Sequence, residues 1–291
     1  MISSTPPSDQ QKLYHLLTDD TRPHFIGRIA GIELKVAYSV LEKTSQLTQK
    51  DLSELENNAG IHTTSYKSLK DYCTQLIHSY EACSMIGEWP QQGDVYQVTG
   101  TGQQWVARRT QNIPKCSALS LEPYYIPPSE LSWMYAVKGK RVLILHPFAN
   151  TFQKQIQHIE KLYPNRSWFE GCSFQFLRPP LTLAGNHDKK DWREHMDNCI
   201  QQLRNQYQTQ PFDIVLVGAG GYGMLLSHFI FREWNVSVVY VGGALQLFFG
   251  VIGKRWFTHK AIMDLVNDYW TRPIKEDQPP SYSKVERGCY W

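Results

Sequence analysis

The sequence lacks any uninterrupted run of the roughly 18 apolar residues that a membrane-crossing helix needs, so no transmembrane segment is expected. It also lacks close cysteine pairs. Cys73, Cys83, Cys116, Cys172, Cys199 and Cys289 are scattered without a C-x-x-C spacing. That pattern argues against a zinc ribbon or a disulfide framework and for six reduced thiols. Charge of one sign is missing as well: 30 Lys and Arg stand against 27 Asp and Glu, a net +3. Nucleic-acid binding leaves a basic footprint, so no nucleic-acid partner is expected. The opening MISSTPPSDQQK has no apolar stretch behind a basic start. It does not read as a secretory signal, and a cytoplasmic location, at most peripheral to a membrane, is the expectation.

What is present suits a chain with a sizeable core. The 291 residues are 42% hydrophobic and 20% charged, the balance of a globular protein and not of a disordered one. Residues 1–22 are polar and begin Pro/Ser-rich, which predicts a flexible lead-in. Residues 24–41, HFIGRIAGIELKVAYSVL, begin apolar, pass two glycines and then show helical spacing at Leu34, Val36, Ala37, Val40 and Leu41. A short strand, a turn and a helix follow from that pattern. Residues 42–90 read as helical, with Tyr72, Leu76, Ile77 and Tyr80 on one face and a break at Asn57, Asn58, Ala59 and Gly60. Residues 91–110, rich in Gly, Gln and Thr, read as irregular. Residues 112–139 carry Pro114, Pro123, Pro127 and Pro128 and read as a wrapping segment.

From residue 138 the pattern sharpens. RVLIL at 141–145 is a buried strand that runs into His146, Pro147 and Phe148. A helix is predicted over 150–162, a strand over 174–177 and a helix over 191–207. FDIVLV at 212–217 is a second buried strand, followed by GAGGYG at 218–223, a helix over 224–234 and a strand over 236–241. Strand, glycine loop, helix and strand make a right-handed βαβ unit. The expected fold is therefore α/β: a Rossmann-like, mostly parallel sheet flanked by helices. Its divisions are a lead-in at 1–22, an N-terminal α/β-helical part of the same domain at 23–135, a Rossmann-like nucleotide-binding half at 136–272 and a polar, Pro-rich strap at 273–291.

The loop Gly218-Ala219-Gly220-Gly221-Tyr222-Gly223 fits G-x-G-x-x-G between a strand and a helix. Glycines there let the backbone approach a phosphate at a helix N-terminus. A dinucleotide site also wants an acid at the tip of the next strand. The tip here is Tyr240-Val241-Gly242-Gly243, so NAD is not expected. A nucleotide or sugar phosphate, or glycines kept only for tight strand–helix packing, are the other two readings. Gly242 and Gly243 end a neighbouring strand, and ligands gather at the carboxyl ends of parallel strands. His146 would join that crevice as a base, a phosphate donor or a packed imidazole. Arg28 and Glu33 either pair with each other or face the ligand, since a buried carboxylate is costly unless paired or used. Lys254, Arg255 and Trp256 either clamp a diphosphate and stack a base, or form a solvated turn with a tucked indole. His187 and Asp188 are a metal-ligand pair without further ligands in the sequence pattern. Trp133, Trp168 and Trp192 are core or acceptor platform.

Four stretches together resemble a bacterial family of GT-D-fold glycosyltransferases found among polysaccharide- and glycan-assembly proteins. They are KGKRVLILHPFANTFQKQ at 138–155, FDIVLVGAGGYG at 212–223, VGGALQLFFGVIGKRW at 241–256 and VERGCYW at 285–291. FIGRIAGIEL at 25–34 is similar to the R-x-G-D-G-E start of the wider group, and LEPYY at 121–125 also recurs in the family. The resemblance implies transfer of a sugar from a nucleoside-diphosphate donor to a glycan or glycan-lipid acceptor. Donor contacts would come from Arg28, Gly218, Gly220, Tyr222, Gly242, Gly243, Gln246, Lys254, Arg255 and Trp256, and catalysis from Glu33 or His146. The wider group pairs Asp-x-Glu around Mg²⁺ or Mn²⁺. Gly31 stands where that Asp would be, leaving Glu33 as a lone metal carboxylate. Two other readings of the Rossmann-like pattern remain: an NAD(P)- or SAM-dependent enzyme, and a non-catalytic nucleotide- or glycan-binding protein.

Overall fold

The computed structural model describes residues 8–44, 46–126 and 131–291. Residues 1–7 of the expected lead-in, and Pro127 and Pro128 of the expected wrapping segment, lie outside it. Helix α1 (Asp9–Leu17) occupies most of the remaining lead-in and buries Leu13 and Leu17. The expectation of a flexible start is corrected over that stretch. Ser8 and Gln11 close a capping box on its first turn, which satisfies amide groups that a helix start otherwise leaves open.

The chain then runs β1 (Phe25–Arg28), α2 (Ile32–Leu41), α3 (Gln49–Ala59), α4 (Tyr66–Glu81), β2 (Met85–Glu88), α5 (Gly93–Arg109) and β3 (Lys115–Ser117). Gly60 ends α3 in the left-handed region at φ +75°, as the glycine in the expected break allows. Two expectations change here. Residues 91–110 are not irregular; they form the 17-residue α5. Residues 42–90 are not helical throughout, for β2 lies at their end, and the N-terminal part supplies three strands in all. The second half follows with β4 (Arg141–Leu145), α6 (Ala149–Gln155), α7 (Ile159–Leu162), β5 (Ser173–Leu177), α8 (Trp192–Thr209), β6 (Ile214–Val217), α9 (Gly223–Trp234), β7 (Ser237–Tyr240) and α10 (Leu245–Phe248).

All seven strands join one parallel sheet in the order β3-β2-β1-β7-β6-β4-β5. Parallel neighbours need crossovers, and helices on both faces supply them. The strands therefore bury both faces, which is why RVLIL and IVLV read as unbroken apolar runs. Side chains alternate between two cores. Phe25, Leu143, Leu145, Val215, Val217 and Val238 point to one, with α2, α3, α4, α8 and α9. Ile26, Val142, Ile144, Ile214, Leu216 and Val239 point to the other, with α1, Phe152 of α6 and Phe248 of α10. Trp133, Trp168 and Trp192 are fully buried in these layers, so they are core and not an acceptor platform. All six cysteines are free thiols. Among the described residues, no helix is long and apolar enough to cross a membrane.

Candidate functional site

A cavity of about 770 Å³ opens at the carboxyl edge of the sheet, within the size range of small-molecule sites. Its walls come from the segments that follow β1, β2, β3, β4, β6 and β7: Ile29–Ile32 side chains and backbone, Trp89, Leu119, His146 to Phe148, Gly218 and Gly220, and Gly242 to Ala244. The strap closes it with Glu286, Tyr290 and Trp291. A topological switch explains the location. The chain builds β1 to β3 toward one edge, jumps to β4, and returns to insert β7 between β1 and β6, and crevices at such reversals collect ligands.

The two glycine turns meet. A Cβ on Gly218 would stand 2.6 Å from the carbonyl oxygen of Gly242 and 2.7 Å from Cδ2 of His146. Only glycine at 218 lets the β4, β6 and β7 ends converge. The next glycines serve a different purpose. A Cβ on Gly221 would stand 2.5 Å from Cγ1 of Ile61 and 2.9 Å from the oxygen of Ala59, and one on Gly223 would overlap the ring of Tyr240. Gly218 and Gly220 thus face the cavity, whereas Gly221 and Gly223 permit close packing. Three buried tyrosines hold this edge in place. Tyr72 donates to the Gly221 carbonyl at 2.9 Å, Tyr240 to that of Gly220 at 3.2 Å, and Tyr80 to that of Arg28 at 2.8 Å. Burial pushes all three phenols above their ordinary pKa, so they stay neutral donors.

Arg28, at the end of β1, is buried. Its guanidinium pairs with Glu122, donates to the Val241 carbonyl, and lies 4.3 Å over the Trp89 ring. Nε has no partner among the described residues. The sequence reading of an Arg28–Glu33 pair is corrected: the partner is Glu122, 94 positions away. Glu122 also accepts from the Tyr124 hydroxyl. A buried pair of this kind is fixed in place because either charge alone would be stranded.

Glu33 occupies the first turn of α2 behind Gly31, and is 9% exposed. Burial raises its carboxyl above the ordinary 4.5. The backbone N–H groups of Glu33 and Gly31 pull it down, and the Glu286 carboxylate raises it further. It belongs to no group of three His, Cys, Asp or Glu ligands among the described residues. Hard divalent ions need about six oxygens, so Glu33 does not by itself make a Mg²⁺ or Mn²⁺ site.

His146 lines the cavity behind β4. Its Nδ1 accepts the Phe148 N–H at 3.0 Å, and burial holds its pKa down to about 3. The neutral ring therefore carries its proton on Nε2 and acts as a donor. Gln246 is fully buried; Nε2 donates to the Val251 carbonyl at 3.0 Å, and Oε1 has no partner among the described residues. Arg255 stacks 4.9 Å from the Tyr290 ring and 5.4 Å from Trp256, with Glu286 at 3.6 Å.

The cavity thus gathers Arg28, Glu33, His146, Gly218, Gly220, Gly242, Gly243, Gln246, Arg255 and Trp256. Two expected residues stand elsewhere. Lys254 is exposed and is not on the cavity wall, and Tyr222 is buried beside Thr182. Sequence reasoning missed Trp89, Glu122, Tyr124, Tyr240, Glu286 and Tyr290 as wall residues. LEPYY and the VERGCYW segment carried the signal for four of them. Compared with family models, with curated proteins and with solved structures, the chain has no match in any of the three.

Proposed function

We propose that the cavity binds the diphosphate of a nucleoside-diphosphate sugar and that the protein is a glycosyltransferase acting on a glycan or glycan-lipid acceptor. The observation that carries this reading is the contact between the Gly218 and Gly242 turns on one cavity wall, with Arg28, Arg255 and His146 around it. In this scheme backbone groups and guanidinium donors meet the charge that develops on the leaving diphosphate. His146 adds an Nε2–H donor, which leaves the general-base role to Glu33. Its raised carboxyl pKa makes it a stronger base once ionised. The acceptor hydroxyl oxygen bonds to the anomeric carbon, the bond from that carbon to the diphosphate oxygen breaks, and the hydroxyl proton goes to Glu33. A positioned base contributes on the order of 10²–10⁴ in rate.

The test is a melting-temperature panel with UDP, GDP, dTDP, their sugar conjugates, NAD and SAM, followed by a transfer assay. A ligand at 100 times its dissociation constant stabilises by about 2.7 kcal/mol. A nucleoside diphosphate is expected to shift the transition, and Glu33→Gln to keep the shift but lose transfer. Stabilisation by NAD or SAM and by no diphosphate would overturn the assignment. Binding without transfer over a broad acceptor panel would reduce the protein to a binding module.

A further inference from the structure

The cavity has two unlike arms. The segments after β4, β6 and β7 bring His146 and the glycine backbone to its wall, whereas those after β1, β2 and β3 bring mainly apolar side chains. In this second arm stand Ile29, Trp89, Leu119, Tyr125 and, on the first turns of α5, Val95 and Val98. Ile29 is buried at the inner end, while Val95, Tyr125 and Val98 are 46%, 47% and 56% exposed at the mouth. We propose that this arm binds the apolar chain of an amphiphilic, lipid-linked acceptor and so holds the acceptor hydroxyl toward Glu33. The word acceptor rests on the transferase reading above; the binding of an apolar chain does not.

Position, polarity and exposure support the assignment. The arm adjoins the base, for a Cβ on Gly31 would stand 3.4 Å from Cγ1 of Val98, and Gly31 opens the helix that carries Glu33. The polar groups of the arm already have partners. Trp89 donates its ring N–H to the Ile29 carbonyl at 3.0 Å, which leaves only carbon for the cavity. Arg28 and Glu122 neutralise each other, and Tyr124 donates to Glu122. A glycan or a peptide laid along this arm would bring polar groups that find no partner, which costs free energy, whereas a lipid carrier is apolar along its length. Val95 and Val98 stand three apart and share one face of α5. Exposed apolar side chains scattered singly are ordinary, but Val95, Val98 and Tyr125 share one cavity wall, and an apolar patch of that kind marks a surface that a ligand covers. The wall stays apolar from its buried end to its exposed end, which suits a chain that leaves toward the surface.

Methyl, butyl, hexyl and octyl glucosides are titrated into the native chain by calorimetry, below their micelle concentrations and without any nucleotide. A methylene that leaves water completely improves affinity about fourfold, so a half-open arm should give about twofold per methylene. Val95→Ser and Val98→Ser should each flatten that dependence, while Tyr66→Ser, at an exposed ring that is not on the cavity wall, should leave it. If a serine variant fails to fold, Val98→Ala trims the same side chain and provides the comparison. Affinity that does not change with chain length sinks the proposal, and so does a dependence that the Val95 and Val98 variants leave intact. Binding of an apolar, serine-containing peptide in place of every alkyl glucoside would make the partner a protein and sink it as well. The nucleotide melting panel is read separately. A diphosphate shift with a flat glucoside series removes the arm and spares the transferase, whereas chain-length dependence with no diphosphate shift upholds the arm and removes the transferase.

Discussion

At Glu33, burial opposes the charge that the proposed general base needs. Its pKa in the fold lies above the unfolded value, so the stability linked to its neutral form is complete below the ordinary 4.5. That stability is lost as pH rises through the raised value. Glu33→Gln removes the loss. The variant is expected to melt higher than the native chain at neutral pH, with the advantage shrinking toward nothing as pH falls below 4.5. Paired thermal melts across that range check it, and an advantage that grows toward acid refutes it. Under the proposed role, stability and function pull in opposite directions at this residue, a common arrangement where a side chain is kept for chemistry. His146 has the opposite sign: held neutral by burial, it loses stability as pH falls from 6.5 toward its pKa of about 3.

Among elements, the contact between α9 and β7 is the most exacting. Gly223 opens α9 directly against the Tyr240 ring. Gly223→Ala must push helix and strand apart, and an added methyl in so tight a contact costs about 1–3 kcal/mol. Urea unfolding should show this with or without a nucleotide, whereas a loss seen only in ligand binding would point to a phosphate role for that glycine. The same element scale explains what could be read in the sequence. β4, β6 and β7 were legible because both faces are buried and their residues run apolar without interruption. β2 was not, since MIGE is four residues with a glycine and follows a long helical pattern. α5 was hidden by its own glycines. Gly102 is there because a Cβ would stand 2.6 Å from Cβ of Leu34, so glycine brings α5 against α2 while imitating loop composition. The glycine turns, His146 and Glu33 were legible as strand-end and helix-start residues. The Arg28–Glu122 pair was not, because no local pattern links residues 94 positions apart.

For the molecule as a whole, the strap at 273–291 both covers the core and closes the cavity. Trp291 is 3% exposed, packs on Phe148 and donates through Nε1 to the Asp277 carbonyl at 3.1 Å. Tyr290 covers Gly243, and the backbone of Cys289 and Tyr290 lies so close to Gly253 that no Cβ fits there. Trp291→Ala is expected to cost about 3–5 kcal/mol, the usual range for emptying a buried indole. Chemical denaturation measures it. Protease cleavage within the strap should quicken in the same variant, since its anchor is gone.

A sheet whose strands all run in one direction keeps its framework and its variable parts at opposite rims. The turns that face the ligand can lengthen, shorten or change residues while the hydrogen-bonded ladder beneath them stays in register. Proteins built on this pattern can therefore exchange one ligand for another by editing a single rim, and divergence in specificity should concentrate there, not in the strands.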